Sequence, residues 1–497
     1  MSNATASSIV TRAASSVKWS ALTEVVSRTA QPIIFVILAR LLSPDDYGVV
    51  ATASIAITFS QMFWDAGLSK ALIQTKEAVV EAADVVFWTN VALGVALYLA
   101  LFAGASWIAE FFKSPASAPV LRVLALQVLI GSFTSVQQAI FVRDLNFRSL
   151  FWIRLATAFA PGLVSIPLAF FGRGVWALVA GSLVGQTINL VLLWRKSPWR
   201  PRLRYNRDLA RRLFRFGFWV VLESVGAWLI TWGDNLIVGR FLGMHDLGLY
   251  RTGSLLVTIL FGLALSPVLP ILFPTFSRLQ DDRLALAATF HKVNRMIIAL
   301  TLPMGIGLLL VGTQMTDALF GQKWNGLGLV VAVMGLKEGA GWLVALNGEL
   351  YRAMGRPDVN TKLLCVIVLY YLPAFFLASH YGLTAFTWTR FFVALVSTPI
   401  HIFVCVRMLR VSPFYLWEQG KPLFLAGLTM LLAVTAAKQA LGLFRVQPWV
   451  PLLALVPVGV LSYGAMIWLL DRPFVLQTKR LVTRAASFVG DDELRGL

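Results

Sequence analysis

Seven ionisable side chains interrupt otherwise apolar stretches of the sequence, and their chemistry suits the binding of ions. Arginine and lysine bind anions such as phosphate, whereas carboxylates bind cations or protons. In a helix that crosses a membrane each such residue costs about 2.5–3.5 kcal/mol, so its presence marks a candidate functional site. The seven residues are Glu24, Arg28, Glu223, Asp234, Lys337, Glu338 and Arg390.

The spacing of four of these residues places them in pairs on shared helix faces. Glu24 lies one turn before Arg28, and Glu223 lies eleven residues before Asp234, which is close to three turns. Glu24 and Arg28 form either a binding site or a structural ion pair that locks helices together. Glu223 and Asp234 are candidates for a coupling cation or proton, and Asp234 is equally well explained by a hydrogen bond between helices.

The other three residues lie in the second half of the chain. Lys337 and Glu338 are neighbours in the glycine-rich stretch GLKEGAGW (335–342). Successive residues of a helix point about 100° apart, so at most one of the two faces a cavity directly. The glycines allow close packing or bending at this point. Arg390 lies far enough inside its apolar run for its side chain to line a cavity.

The composition predicts which elements must position these residues. Hydrophobic residues make up 58% of the 497 residues, charged residues make up 13%, and the mean hydropathy is +0.74. A soluble domain carries roughly a quarter charged residues, so the chain is predicted to be a membrane protein. The runs 86–109 and 449–470 contain no charge, and each exceeds the ~20 residues that cross hydrocarbon as a helix.

Apolar runs bounded by charges and turn residues predict an all-α polytopic membrane protein with about 14 transmembrane helices. The runs show no alternation of apolar and polar residues, which argues against membrane strands. The predicted spans are 17–40, 46–66, 82–109, 118–141, 149–171, 175–195, 214–241, 247–275, 290–315, 326–351, 361–380, 383–406, 421–441 and 448–470.

Two further features are assigned to the membrane interface. Arg122 and Arg154 lie only four or five residues inside their predicted spans, and long side chains reach the interface from there. The amphipathic stretch 276–292 is expected to lie along the cytoplasmic interface before the ninth span. Neither arginine is therefore assigned a binding role.

Basic residues predict the orientation of the spans. Most of the 43 Lys and Arg residues fall in loops that face the cytoplasm when both termini are placed inside. Residues 1–20 are polar and contain no signal-peptide core, so the first span is expected to insert uncleaved. The net charge of +19 is divided among short loops, which favours contact with anionic membrane lipids over nucleic acid.

Cysteine and histidine give no indication of a metal, disulfide or cofactor site. Cys365 and Cys405 both lie in apolar runs, and the four histidines lack the spacing of metal ligands. We therefore expect no metal and no cofactor.

A motif that recurs after two hundred positions organises the chain. ARLLSPDDYGVV (39–50) matches GRFLGMHDLGLY (239–250) without gaps, which indicates an internal duplication. Each copy lies on a predicted outer turn between two spans. Gly48 and Gly248 are expected to allow tight packing at these turns. The arginine and aspartate of each copy are expected to form a structural clasp, Arg40 with Asp46 and Arg240 with Asp246.

The duplication predicts two repeated six-helix lobes followed by two extra helices. Each lobe has an even number of spans, so both enter the membrane in the same direction, with a path between them. The predicted domains are an N-terminal lobe at 1–195, a basic cytoplasmic linker at 196–213, a C-terminal lobe at 214–410, and two spans with a cytoplasmic tail at 411–497.

Four stretches, in their order along the chain, resemble bacterial polysaccharide flippases of the multidrug/oligosaccharidyl-lipid/polysaccharide exporter superfamily. The resemblance covers nearly the whole chain up to about residue 415, and the predicted spans fit it. The stretches are DAGLSKALIQ (65–74), GDNLIVGRFLGMHDLGLYRTGSLL (233–256), PVLPILFPTFSRLQDD (267–282) and LFGQKWNGLGLVVAVMGL (319–336).

The resemblance implies transport of undecaprenyl-pyrophosphate-linked oligosaccharide repeat units across the bacterial inner membrane by alternating access. Exopolysaccharide, capsule or O-antigen assembly would use the product, with a polysaccharide polymerase and export machinery as possible partners. Arg28, Lys337 and Arg390 are the candidate substrate-binding residues, because guanidinium and ammonium groups suit a diphosphate. Glu24, Glu223, Asp234 and Glu338 are the candidate coupling-ion or proton sites.

Two other functions are weighed against transport of a lipid-linked oligosaccharide. An ion-coupled exporter of drugs or small molecules shares the implied fold, although twelve spans are usual there. A membrane enzyme such as a polymerase would need an extramembrane domain or a long outer loop with acids and histidine. The predicted outer loops are short and carry no such set, so no catalytic residue is assigned and the chain is not expected to be an enzyme.

Overall fold

The computed structural model describes residues 31–64, 68–69, 72, 79–266, 268–442 and 449–480. Throughout these residues the regular structure is helical and no strand occurs. The predicted all-α class is thereby confirmed.

Nine helices cover the described part of the chain as far as residue 265. Four of them, α6 to α9, begin directly after an asparagine or a glycine. They are α1 (Gln31–Leu41), α2 (Pro44–Trp64), α3 (Val79–Phe111), α4 (Ser117–Leu124), α5 (Leu126–Arg143), α6 (Phe147–Phe170), α7 (Val175–Lys196), α8 (Arg207–Phe241) and α9 (Met244–Leu265).

Eight further helices follow in the described residues. They are α10 (Leu269–Arg278), α11 (Arg283–Phe320), α12 (Leu327–Gly341), α13 (Asn347–Ala353), α14 (Pro357–Ala378), α15 (Gly382–Leu409), α16 (Pro413–Gly442) and α17 (Trp449–Leu470). Nine segments of the described chain are long and apolar enough to cross a membrane, and two of them join consecutive helices. A polytopic membrane protein is therefore supported, while the count of 14 spans stays a prediction.

Three predicted boundaries are wrong. The span predicted at 247–275 ends at Leu265, and α10 follows as a separate helix with Pro270 in its first turn. The span predicted at 326–351 is interrupted by turns between α12 and α13, after the glycine-rich stretch that weakens the helix. The stretch 276–292 is not one interfacial element, because Asp282 caps a new helix and α11 runs on unbroken to Phe320.

Contacts within the chain define two compact units, Met1–Thr252 and Gly253–Leu497. The division falls inside α9, whereas the sequence places a linker at 196–213. The four predicted domains stay a prediction.

Within the first unit, residues two hundred positions apart contact each other where α2 crosses the beginning of α9. A Cβ atom at Gly48 would overlap the carbonyl oxygen of Met244, and one at Gly248 would overlap that of Pro44. The carboxylate of Asp45 lies 3.3 Å from Nδ1 of His245. The two close approaches are reciprocal, as at a local twofold axis, because each glycine lies against the residue four positions before the other glycine.

The predicted arginine–aspartate clasps are wrong. The Asp46 carboxylate accepts hydrogen bonds from the backbone N–H and hydroxyl of Ser43, at 3.0 and 2.7 Å, and so closes its own turn. Arg240 stacks on the rings of Phe111 and Phe241. A local side-chain cap satisfies the turn without a second charge, because the serine hydroxyl and the aspartate are only three residues apart.

In the second unit, α16 and α17 pack against α11 through apolar side chains and two polar contacts. Leu423 and Leu455 are buried in this cluster together with Leu302. Lys438 donates to the backbone carbonyl of Leu310 in α11 at 2.8 Å. At the other end Arg295 of α11 pairs with Asp471, just past the end of α17.

We expect Asp471→Asn to lower the thermal unfolding midpoint by about 3 °C, because it leaves a half-buried arginine without its counter-charge. Asparagine keeps the side-chain oxygen that accepts the backbone N–H of Phe474, so only the ion pair is lost. The midpoint of the purified protein measures the effect. Asp358→Asn is the control, since its pairs with Arg356 and Lys362 are exposed and contribute little. Equal midpoints for the two variants would contradict the prediction.

Candidate functional site

Helices α6 and α7 each present a stripe of residues to the same space in the first unit. Both stripes follow the spacing i, i+3, i+4, i+7 and i+11, which places all five positions on one face of a helix. On α6 they are Leu150, Ile153, Arg154, Thr157 and Pro161, and on α7 they are Ser182, Gly185, Gln186, Asn189 and Leu193.

The two helices approach closely at one end of these stripes. A Cβ atom at Gly181 would overlap the hydroxyl of Ser165, and one at Gly185 would lie 2.9 Å from Cγ of Pro161. Small residues four positions apart are the usual means by which membrane helices come this close. Pro161 also lacks the N–H that would bond to the carbonyl of Thr157, which leaves that oxygen without its helical partner.

Between the stripes lies a cavity with a volume of about 370 Å³, which α5 completes with Gln138. Six of its eleven lining residues are polar, which is unusual among helices as apolar as these. Five of the six are uncharged amides or hydroxyls: Gln138, Thr157, Ser182, Gln186 and Asn189.

Arg154 supplies the only charge in the lining. Its side chain is exposed, and in the described part of the chain no carboxylate pairs with it. The neighbouring Thr157 hydroxyl donates to the Arg154 backbone carbonyl at 3.1 Å, so it does not occupy the guanidinium. The cavity therefore offers up to five N–H donors for an anion beside neutral groups that exchange hydrogen bonds with hydroxyls.

A second cavity of the first unit, about 390 Å³ in volume, is almost entirely apolar. It lies among α2, α3 and α8 and is bordered by aromatic side chains such as Phe59, Trp107 and Trp228. The indole N–H of Trp228 is already used by the hydroxyl of Thr58, at 3.1 Å. The lining of this cavity offers no charged group and no free hydroxyl, so the polar cavity is the candidate recognition site.

Three of the seven residues singled out in the sequence cannot be placed. Glu24 and Arg28 lie outside the described residues, and so does the side chain of Glu223. Helix α8 is continuous across positions 223 and 234, so these two positions share a face as predicted. The binding and coupling roles of the three residues stay predictions.

Asp234 is buried in a hydrogen-bonded network between α8 and α9. Tyr250 donates its hydroxyl to one carboxylate oxygen at 2.7 Å, and the Asn235 backbone and side-chain amides donate to the other at 2.8 Å. Only 2% of Asp234 is exposed, and Tyr250 is fully buried. The sequence allowed two roles for Asp234, a hydrogen bond between helices and the binding of a coupling ion, and the structure contains this hydrogen bond. A coupling role for Asp234 stays a prediction.

In the second unit Lys337 and Glu338 form an ion pair with each other, with Nζ 2.7 Å from Oε2. The adjacent positions converge because the long lysine side chain bends toward its neighbour. The Arg390 guanidinium donates to the hydroxyl of Tyr371 at 3.1 Å, which connects α15 to α14. The substrate-binding roles of Lys337 and Arg390, and the coupling role of Glu338, stay predictions.

The polar cavity is the feature that the sequence reading missed. Arg154 was assigned to the interface because it lies near a span end, although it faces the cavity. A signal was available in α7, where Ser182, Gln186 and Asn189 recur at helical spacing within an apolar span. Among the described residues there is no group of three or more His, Cys, Asp or Glu side chains that could hold a metal ion.

Comparison with known proteins finds a family and several relatives. The family described as "Polysaccharide biosynthesis protein" matches residues 37–328, more than half of the chain. The succinoglycan biosynthesis transport protein ExoT of Rhizobium meliloti (strain 1021) is 28% identical over 65% of this chain and 65% of its own length. The lipopolysaccharide biosynthesis protein WzxC of Escherichia coli (strain K12) is 24% identical over 95% of this chain and 96% of its own.

Solved structures share the fold at low sequence identity. The lipid II flippase MurJ, in an inward closed conformation, matches with a TM-score of 0.75 and 13% identity over 92% of this chain and all of its own. An inward-facing multidrug resistance transporter of the MATE family and the MOP superfamily matches with a TM-score of 0.61 and 14% identity. That match covers 78% of this chain and 96% of the transporter.

Proposed function

Because the chain belongs to the polysaccharide biosynthesis protein family, we propose that it is a flippase for lipid-linked oligosaccharides. This membership confirms the resemblance inferred from the sequence motifs, and the chain is a multi-pass membrane protein. The proposed cargo is an undecaprenyl-pyrophosphate-linked repeat unit for exopolysaccharide, capsule or O-antigen. ExoT is named for succinoglycan and WzxC for lipopolysaccharide, and these names support a saccharide cargo.

The single observation that carries the proposal is the polar cavity between α6 and α7. A diphosphate needs a cationic partner that no carboxylate already occupies, and Arg154 provides one. Sugars need many neutral donors and acceptors at close spacing, which the three amides and two hydroxyls provide. A cavity of about 370 Å³ is large enough for a diphosphate with one or two sugar rings, so longer repeat units would extend beyond it.

Alternating access would require the turns of the two repeated motifs, 39–50 and 239–250, to separate and then to return to contact. The crossing of α2 and α9 at Gly48 and Gly248 is the contact that would open, and its backbone-to-backbone packing supports two discrete states. A coupling ion or proton would be bound by Glu24, Glu223, Asp234 or Glu338. Arg28, Lys337 and Arg390 would add further contacts to the diphosphate.

Orientation, location and partners complete the proposal. Both termini would lie in the cytoplasm and the protein in the bacterial inner membrane, because the basic loops would then face inward. A polysaccharide polymerase and export machinery would use the translocated unit. The protein would be a transporter without catalytic residues or cofactor, in line with the names of its relatives.

We expect a deletion strain of the native host to lose surface polysaccharide and to accumulate lipid-linked repeat units on the cytoplasmic leaflet. Without a flippase the units are still synthesised inside but cannot reach the outer leaflet. Extraction of lipid-linked sugars, combined with a membrane-impermeant sugar label, measures both amount and sidedness. A plasmid copy of the gene should restore the wild-type pattern.

Intact surface polysaccharide together with altered drug tolerance in the deletion strain would contradict the proposal. That outcome would favour the alternative function, export of drugs or other small molecules. The chain shares its fold with a multidrug resistance transporter of the MATE family, which makes this alternative a reasonable one.

A further inference from the structure

The segment between α7 and α8 carries exposed cations that have no partner in the described chain. We call residues 195–211 the basic shelf. Six of its cations are exposed and form no ion pair or side-chain hydrogen bond with described residues: Arg195, Lys196, Arg202, Arg204, Arg207 and Arg211. Arg200 is the exception, because it donates to the carbonyls of Trp194 and Trp199 at 2.8 Å.

The backbone of the shelf is held on the beginning of α3. Asp84 accepts the backbone N–H of Arg202 at 3.0 Å, and the indole of Trp88 donates to the carbonyl of the same residue at 2.8 Å. Asn206 donates its amide to Glu81 at 2.8 Å. These contacts hold residue 202 from both sides while its guanidinium stays exposed, so the shelf is a fixed surface.

The acids next to the shelf bind its backbone and amide groups and not its arginines. Glu81 and Asp84 border the same cavity as Arg202 and Arg204, yet among the described residues neither carboxylate forms an ion pair with a shelf arginine. Asp84 is 1% exposed, so its charge is withdrawn from solvent. The positive charge of the shelf is therefore directed outward.

Another loop of the chain shows the contrasting arrangement. In residues 349–362, predicted to face the same side of the membrane, each basic residue is paired. Arg352 pairs with Glu349, whereas Arg356 and Lys362 both pair with Asp358. The positive-inside rule counts basic residues whether or not they are paired with acids, so a loop with paired cations satisfies it. The unpaired cations of the shelf are therefore not explained by that rule alone.

A large apolar side chain is exposed between the shelf arginines. Leu203 is 89% exposed, and Tyr205 is 51% exposed. In water this exposure is unfavourable, but at a bilayer surface leucine enters the acyl boundary while the flanking arginines reach phosphates. The pattern therefore fits a lipid surface better than one soluble anion.

We propose that the basic shelf is a docking surface for the anionic phospholipid headgroups of the inner leaflet. The six cations are spread from the end of α7 to the first turns of α8, over a greater length than one headgroup covers. Each cation near an anionic surface adds to the attraction, and salt weakens it. The contact holds the start of α8 against the membrane and stands independently of the transported cargo.

A lipid titration tests the proposal. Purified full-length protein in neutral detergent is titrated with phosphatidylglycerol, and its thermal unfolding midpoint is measured. The midpoint should rise with phosphatidylglycerol and much less with phosphatidylcholine, and 0.5 M salt should reduce the rise. The double variant Arg202→Gln/Arg204→Gln should need on the order of 30-fold more phosphatidylglycerol for half of the rise. It keeps the backbone contacts to Asp84 and Trp88, so the shelf stays in place.

The matched control is Arg352→Gln/Arg356→Gln, which removes the same charge from the paired loop and should leave the titration unchanged. Leu203→Asn should weaken the response that remains at high salt, because that part depends on apolar contact. Three results would overturn the proposal: an unchanged titration for the shelf variant, equal stabilisation by both lipids, or an equal rise with inorganic pyrophosphate alone. The last result would indicate a discrete anion site.

Discussion

Leucine at Gly48 or at Gly248 is expected to reduce surface polysaccharide in a complementation assay to the level of the deletion strain. Each glycine lies against a backbone carbonyl of the opposite turn, of Met244 for Gly48 and of Pro44 for Gly248. A carbonyl belongs to a helix and cannot move aside as a flexible side chain can, so α2 and α9 must separate.

The size of the effect should follow the size of the added side chain. Alanine already introduces the overlapping Cβ atom, and leucine adds three further carbon atoms to the crossing. Overpacking of this kind costs about 1–3 kcal/mol, and more where backbone must move. We therefore expect alanine to give partial transport and leucine to give none, at either position, since the two contacts are equivalent in the duplication.

Gly104→Leu is the matched control, because nothing lies within 4 Å of a Cβ atom built at that position on α3. It should retain wild-type transport and membrane content. Immunoblotting of membranes distinguishes loss of transport from loss of protein. Wild-type polysaccharide in the Gly48→Leu strain would show that the crossing is not needed, and alternating access through it would be abandoned.

Arg154→Gln is expected to reduce transport of lipid-linked units by about 10- to 100-fold, with normal amounts of protein in the membrane. The range corresponds to the loss of one charge-assisted contact to phosphate, about 1.5–3 kcal/mol. Arg154→Lys should give an intermediate rate, because lysine keeps the charge but not the planar pair of donors. Initial rates of unit translocation in membrane vesicles measure the effect.

Arg122→Gln is the control for removal of a membrane-region arginine that is not in the cavity. Arg122 donates to the hydroxyl of Ser106 and lies over the ring of Phe102, and it does not line the polar cavity. Its loss should leave the translocation rate within about two-fold of wild type, as expected for an exposed contact. Equal rates in the two glutamine variants would remove Arg154 from the proposed substrate site.

Most of the helical framework was predictable from the sequence. The predicted spans 82–109 and 175–195 agree closely with Val79–Phe111 and Val175–Lys196. Hydropathy along a single segment sets these limits, because each span must satisfy its own backbone hydrogen bonds in hydrocarbon. Two of the three boundaries that failed lie at Leu265 and Gly341, where prolines or glycines shortened a helix inside an apolar run.

Side-chain partners were much less predictable. The ion pair between Lys337 and Glu338 was not predicted from their spacing. Arg40 was expected to pair with Asp46, yet that aspartate caps its own turn. Helical spacing gives the direction in which a residue leaves the helix. It does not give the bend of a long side chain or the competing acceptor that lies nearby.

The amino-acid sequence alone determined the membrane class and the helical fold class, because hydrophobic length is a property of continuous segments; the count of 14 spans and the two duplicated lobes stay predictions. The tertiary structure decided where recognition can occur. The polar cavity exists because Gly181 and Gly185 bring α7 against Pro161 of α6, which turns two separate polar stripes toward one space. The formation of this cavity depends on how each helix is rotated about its axis and on which helix lies next to it. Both are set only when the helices pack.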